Sequence, residues 1–154
     1  MASSVIVDRA NSKKNMFVRK QGKTKLVWLP VTASTAIANG ALVAFSSGKL
    51  IAATSSTAGN VIAGVLRGAI AATDDNYASE RLVAVEVPVE KNVVWEADVT
   101  SGLVAADIGL YQDITDSVTV NRGASTYDVA QCVKVISATK GLFYLNIGSD
   151  SIAK

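Results

Sequence analysis

From Leu26 onward the apolar runs of this chain are short and punctuated by turn signals. Such punctuation suits many short strands and points to an all-β fold, a small β-barrel or β-sandwich. The clearest strand is Leu82 to Val89, where Val83, Val85, Val87 and Val89 alternate with Ala84, Glu86 and Pro88. A period of two puts the valines on one face and Glu86 on the other. Pro88 has no N–H to donate, which places it at an edge or near the strand's end. The chain then turns through Glu90-Lys91-Asn92 into Val93-Val94-Trp95-Glu96, read here as an antiparallel return.

The same logic marks Ala41 to Phe45 and Lys49 to Ala53 as a hairpin around Ser46-Ser47-Gly48. Further strands are expected at Val61 to Leu66, Tyr111 to Ile114, Val118 to Val120, Gln131 to Ile136 and Leu142 to Ile147. Thr57 to Thr73 is rich in alanine, but Gly59, Gly64 and Gly68 each cost a helix about 1 kcal/mol relative to Ala, so strand and loop are expected there. Thr73 to Arg81 reads as a polar surface excursion. Ala38-Asn39-Gly40-Ala41-Leu42-Val43 and Thr100-Ser101-Gly102-Leu103-Val104-Ala105 rhyme, too briefly to carry a duplicated fold.

A chain of 154 residues is one domain's length. At that size roughly 68–70% of the unfolded surface is buried on folding, enough for an independent core. Charged residues make up 18%, below the roughly 25% usual for soluble domains. A surface so poor in charge suggests that part of it is covered by other copies or by a larger partner. No stretch approaches the roughly 20 apolar residues of a membrane span, and no membrane association is expected. The N-terminus lacks the basic leader and apolar core of a signal peptide. Cys132, between Gln131 and Val133, reads as a small core residue. A reactive thiol would need exposure and positive charge, for which Lys134, on the same face of an alternating strand, is the only near candidate.

The net charge of +2 hides an asymmetry. Residues 1–25 hold seven basic side chains against one acid, Asp8, whereas the remainder holds eight basic and twelve acidic. The chain is thus read as an extended basic N-terminal arm, residues 1–25, on a mildly acidic β-rich body, residues 26–154. Such an arm orders when it meets a partner. Its candidate partner-binding residues are Arg9, Lys13, Lys14, Phe17, Arg19, Lys20, Lys23 and Lys25, with Trp28 where the arm enters the body. It can lie across an acidic protein surface, contact nucleic-acid phosphates, or remain a solvated tail. The acidic body would repel a duplex and no recognition helix accompanies the arm, so a protein partner is expected over nucleic acid.

Catalysis finds little support. The chain has no histidine, which removes the commonest general base near neutral pH and the commonest metal ligand. Gln21-Gly22-Lys23-Thr24 ends like a phosphate loop but lacks its earlier glycine and a preceding buried strand. Glycoside hydrolysis needs only two acids, and Glu86, Glu90, Glu96, Asp98, Asp107, Asp113 and Asp116 are present. Each sits by turn residues or alternates outward on a strand, as solvated charges do. Asp113 and Asp116 lack the glycine and closing glutamate of a calcium loop. No enzyme activity, metal or cofactor is expected. Both tryptophans, Trp28 and Trp95, read first as core residues, with Trp28 the better interface anchor of the two.

Trp28-Leu29-Pro30-Val31, Ala38 to Phe45, Ser47-Gly48-Lys49-Leu50, Ile62 to Leu66, Val104 to Tyr111 and Gly141 to Ile147 together give a texture of short barrel strands. Over residues 28–148 this resembles the capsid decoration (cement) proteins of tailed bacteriophages; the basic arm has no counterpart in the resemblance. It implies a small β-barrel or β-sandwich subunit, a trimer or dimer, on the outer face of a mature icosahedral shell. The partner would be the major capsid protein, the location the virion after synthesis in the bacterial cytoplasm, and the task the clamping of neighbouring capsid subunits. Other virion roles (tail-tube, neck or head-fibre subunit) share the same composition, and a carbohydrate-binding module is a further reading.

Overall fold

The structure, a computed structural model, describes residues 16–58, 61–90 and 92–147. It is all-β. The strands are β1 (Val18–Gln21), β2 (Thr24–Pro30), β3 (Leu42–Ser46), β4 (Lys49–Ala52), β5 (Ile62–Arg67) and β6 (Leu82–Pro88). After them come β7 (Val94–Val99), β8 (Tyr111–Asp116), β9 (Thr119–Asn121), β10 (Ala130–Ser137) and β11 (Lys140–Leu145). A 3-10 turn, Ala105–Asp107, precedes β8.

The β3–β4 hairpin forms as its sequence predicts. Ser47 and Gly48 take φ of 52° and 82°, the left-handed pair that lets a two-residue turn follow the twist of its strands. Pro88 closes β6, where its missing N–H breaks no interior ladder. The described part of Thr57 to Thr73 is strand and loop, and Thr73 to Arg81 is a run of turns.

The strands form two sheets. One runs β1-β7-β11-β10-β8-β9, and β9 also pairs with β7 in parallel, which closes β7-β11-β10-β8-β9 into a five-stranded barrel. The other runs β2-β6-β5-β3-β4 and curls until Val31 forms a parallel bridge with Leu50. Trp95, Ala97, Val99, Ile114, Val120, Cys132 and Phe143 belong to the barrel's core cluster. Leu42, Ala44, Ile62 and Val65 reach the same cluster from one face of the second sheet. The opposite face of that sheet, with Val43, Leu66, Val83, Val85 and Val87, surrounds its own core. The valine alternation of β6 is therefore real.

Three expectations change. Val94 to Glu96 do not return against β6: β7 pairs with β1 and β11 in the other sheet. The loop between β6 and β7 carries the chain from one core to the other, and alternation alone cannot tell which neighbour a strand will find. Strand structure also begins before Leu26. β1 and the start of β2 lie within the arm expected over residues 1–25, so position 25 falls inside a strand rather than at a structural boundary. Their lysines and arginine point outward while Phe17 is fully buried in the barrel's cluster, so the basic composition concealed two strands.

The third change concerns repetition. β2, β3, β4, β5 and β6 are connected and ordered as β7, β8, β9, β10 and β11 are. Hydrogen bonds recur with them. Thr32 N donates to Leu50 O at 3.0 Å and Thr100 N to Val120 O at 3.0 Å; Val31 N donates to Arg81 O and Val99 N to Thr139 O, both at 2.9 Å. Gly40 N and Gly109 N donate to Leu66 O and Cys132 O, and the Leu66 and Cys132 amides donate back to Ala41 O and Leu110 O. One topology is thus used twice. Gly40 and Gly109, with φ of 82° and 90°, are the equivalent turn residues. The rhyme between 38–43 and 100–105 set Gly40 against Gly102 and so missed the true register.

Candidate protein-binding face

Cross-strand pairing lays out the outer face of the β2–β6–β5 region in rows. Leu26 stands opposite Glu86 and Glu86 opposite Val65; Trp28 stands opposite Ala84 and Ala84 opposite Arg67; Pro30 stands opposite Leu82. The rows share one face because side chains alternate with period two. Toward β5 this face is covered by the barrel. Toward β2 it is open, and Leu26, Trp28 and Leu82 are 54%, 62% and 60% exposed. Ala84, between Trp28 and Arg67 in its row, is buried. Lone apolar side chains on a surface are ordinary, whereas a row of them with a tryptophan suits an interface.

Glu86 organises the ground beneath this face. Expected to be solvated, it is 6% exposed. Oε2 accepts from Arg19 Nε at 2.7 Å and from Thr24 Oγ1 at 2.6 Å, and Oε1 accepts from Arg67 Nε at 2.6 Å. Burial pushes the Glu86 carboxyl up, but hydrogen bonds from Thr24 and Arg19 and the charge of Arg67 outweigh it, leaving the acid below its ordinary 4.5. Arg19 belongs to a strand of the barrel sheet and Glu86 to the second sheet, so this cluster ties the two together. Arg19 Nη1 also donates to Gly22 O, and Arg67 Nη2 to Phe17 O.

Of the residues proposed to bind a partner, Arg9, Lys13 and Lys14 lie outside the described residues. Phe17 is a core side chain, which removes it from the surface. Arg19 is held by Glu86 with 43% of its side chain exposed, and Lys20 lies 3.5 Å from Glu96 with 48% exposed. Lys23 and Lys25 are exposed beside the turn into β2 and on β2 itself. Trp28 is on the surface, which overturns its reading as core, whereas Trp95 is buried. The structure therefore puts Arg19 and Lys20 on β1, Lys23 in the turn after it, and Lys25 and Trp28 on β2, where alternation sets Lys25 on the opposite face from Leu26 and Trp28. Leu26, Leu82 and Arg67 share the face of Trp28. Exposure of Leu26 and Trp28 was legible only as a pair two residues apart on a strand, and that strand was not recognised.

Two more carboxylates differ from expectation. Asp113 is buried and accepts from the Thr126, Tyr127 and Asp128 amides at 3.0, 2.7 and 2.9 Å, so it fastens the loop before β10. Asp107, also buried, accepts from Val104 N at 2.9 Å and Arg122 Nε at 3.1 Å. The Val104 amide is the main reason its acid lies below the ordinary 3.8; burial opposes this, and Arg122 adds to it. Both carboxylates serve backbone geometry. Cys132 is buried; loss of solvation pushes its thiol up, Asp107 adds to the rise and the Lys134 carbonyl opposes it. Lys134 is exposed beyond a register shift after Cys132, so the two do not share a face.

A cleft of about 610 Å³ lies near the barrel, lined among others by Glu90, Asn92, Tyr111, Gln131, Tyr144 and Asn146. Glu90 is its one carboxylate among the described residues, and it accepts from the Lys23 amide at 3.0 Å. A pair of acids on opposite sides of a bond, which glycoside hydrolysis requires, is not assembled among these lining residues. A second exposed apolar strip, Ile108, Leu110 and Tyr111, runs from the 3-10 turn into β8. No model of a known protein family matches the chain, and no curated protein matches it.

Proposed function

We propose that this chain is a structural virion protein that binds the outer surface of a tailed-phage capsid and clamps neighbouring capsid subunits, performing no reaction. The observation that carries an adhesive reading is the open face with Trp28, Leu26 and Leu82, to which Arg19 is tied through Glu86, with Lys20, Lys23 and Lys25 exposed on β1, the turn after it and β2. Trp and Arg supply much of the energy at protein interfaces, because burying an indole or a guanidinium fork removes a large surface from water. The basic flank suits an acidic partner surface. A clamp needs at least two contacts per subunit, and the strip Ile108-Leu110-Tyr111 offers a second on the barrel. Joining modest contacts through one rigid body raises the effective concentration of each. The capsid itself comes into this reading from the resemblance over residues 28–148. The major capsid protein is the partner it names, and a homotrimer or homodimer the assembly.

Co-sedimentation of the purified protein with expanded capsids of its own virus, stripped of surface proteins, tests this. Saturable binding that raises the temperature at which the shell breaks is expected, with Trp28→Ala weakening it by about tenfold or more. Protein that neither sediments with the shells nor stabilises them removes the proposal. Antibody labelling of the tail or neck in intact virions would move the protein to another structural role.

A further inference from the structure

The repeated topology lets each row of the barrel be set against its counterpart in the second sheet. In the barrel Tyr111 is paired with Gln131, and Gln131 with Tyr144. The counterpart row is Leu42, Val65 and Glu86, paired in the same order. Leu42 and Val65 are fully buried in the barrel's cluster, and Glu86 is held by Arg19 and Arg67. The same three places in the barrel carry two phenols and an amide, and all three side chains line the cleft of about 610 Å³. Tyr111 is 46% exposed there. Packing asks for neither the phenols nor the amide.

We infer that this cleft binds a neutral saccharide, a short glycan segment laid across β8, β10 and β11. Its volume falls within the roughly 300–1,000 Å³ of small-ligand sites. Tyr111 and Tyr144 stand two strands apart, about 10 Å, with Gln131 between them. An aromatic face is electron-rich and attracts the C–H face of a sugar ring. Each tyrosine adds a hydroxyl that both donates and accepts. Glu90, also in the lining, disfavours an acidic sugar.

The polar side chains are fixed before any ligand arrives. Gln131 Nε2 donates to Gly109 O at 3.0 Å, and Asn146 Nδ2 to Asp128 O at 3.2 Å. Glu90 Oε2 accepts from the Lys23 amide at 3.0 Å. Groups ordered in advance lose less freedom on binding. Their other oxygens, Gln131 Oε1, Asn146 Oδ1 and Glu90 Oε1, are acceptors. A sugar meets acceptors with hydroxyl donors all round its ring. A proline-rich peptide, which also docks in aromatic-lined grooves, brings carbonyls and few N–H groups, so acceptor would be set against acceptor. Glu90 is the one carboxylate of the described lining, whereas glycoside hydrolysis needs two acids, so the sugar is bound and not cut.

Titration of the isotope-labelled full-length chain, followed by amide NMR signals, tests this. The probes are cellobiose, lactose and N,N′-diacetylchitobiose, with decaproline and arginine methyl ester as rival classes. At least one disaccharide at millimolar concentration should shift the Gly109, Tyr111, Gln131, Tyr144 and Asn146 signals saturably, whether or not the protein attaches to a capsid. Tyr111→Ala should weaken that binding by about tenfold or more, with its unfolding temperature close to the parent's because the side chain is half exposed. Gln131→Ala should weaken it as well and serves as the second variant. Silence of these signals toward all three disaccharides would overturn the inference. So would binding that both variants retain in full, which would put the sugar elsewhere. Shifts with decaproline or arginine methyl ester alone would overturn it too, assigning the cleft to a peptide or a cation.

Discussion

Arg19 Nε donates to Glu86 Oε2 at 2.7 Å across the junction between the barrel sheet and the second sheet. Glu86 receives Arg67 and Thr24 as well, so two guanidinium groups converge on one buried carboxylate. Replacing the acid by an amide leaves the arginines without their counter-charge and with one acceptor oxygen in place of two. Glu86→Gln is expected to destabilise the fold by about 2–3 kcal/mol, less than a fully buried pair because Arg19 and Arg67 keep contact with water. Arg19→Ala should cost less than half of that, since Arg67 and Thr24 still satisfy the carboxylate. Urea unfolding of both variants checks the order.

Trp28 separates binding from stability. With 62% of its surface exposed, Trp28→Ala should change unfolding free energy by less than about 1 kcal/mol. Trp95→Ala, by contrast, empties a buried site and should cost about 3–5 kcal/mol. Equal losses in the two variants would show that Trp28 is needed for the fold.

Acid should loosen the structure from a predictable point. The Glu86 and Asp107 acids lie below their ordinary values of 4.5 and 3.8 in the folded chain. The unfolded chain therefore takes up protons first as pH falls. Their contribution is complete above about pH 5 and is lost as pH falls through 4.5 and 3.8 toward the lower folded values. Thermal unfolding followed from pH 7 to pH 3 should show a flat upper region and a fall beginning near pH 5. Glu86→Gln should flatten that fall.

Gly64 lies close against β6. A Cβ there would lie 2.5 Å from Glu86 O and 2.7 Å from Val85 Cγ1. Backbone on one side and a buried valine on the other leave no room to yield. Gly64→Ala should therefore destabilise by about 2 kcal/mol, through overpacking. Gly123→Ala is the control for glycine loss, because its Cβ meets nothing within 4 Å and only its φ of 98° opposes the change.

Local pattern determined much of this protein by itself. Valine alternation in β6 and the Ser47-Gly48 turn needed only neighbours in sequence, because period two and left-handed turn geometry are properties of a few consecutive residues. The small core role of Cys132 was legible for a similar reason, an apolar setting in a strand. Tertiary structure alone decided the partners. Whether β7 returned to β6 or joined a second sheet depended on residues more than forty positions away. Whether Glu86 met water depended on β1 folding over it, and Arg19 and Lys20 looked like a loose arm until Phe17 was anchored in the barrel. Pairing across a sheet is made by backbone groups that every residue carries, so side-chain pattern specifies which face is buried and leaves open which strand comes to lie beside it.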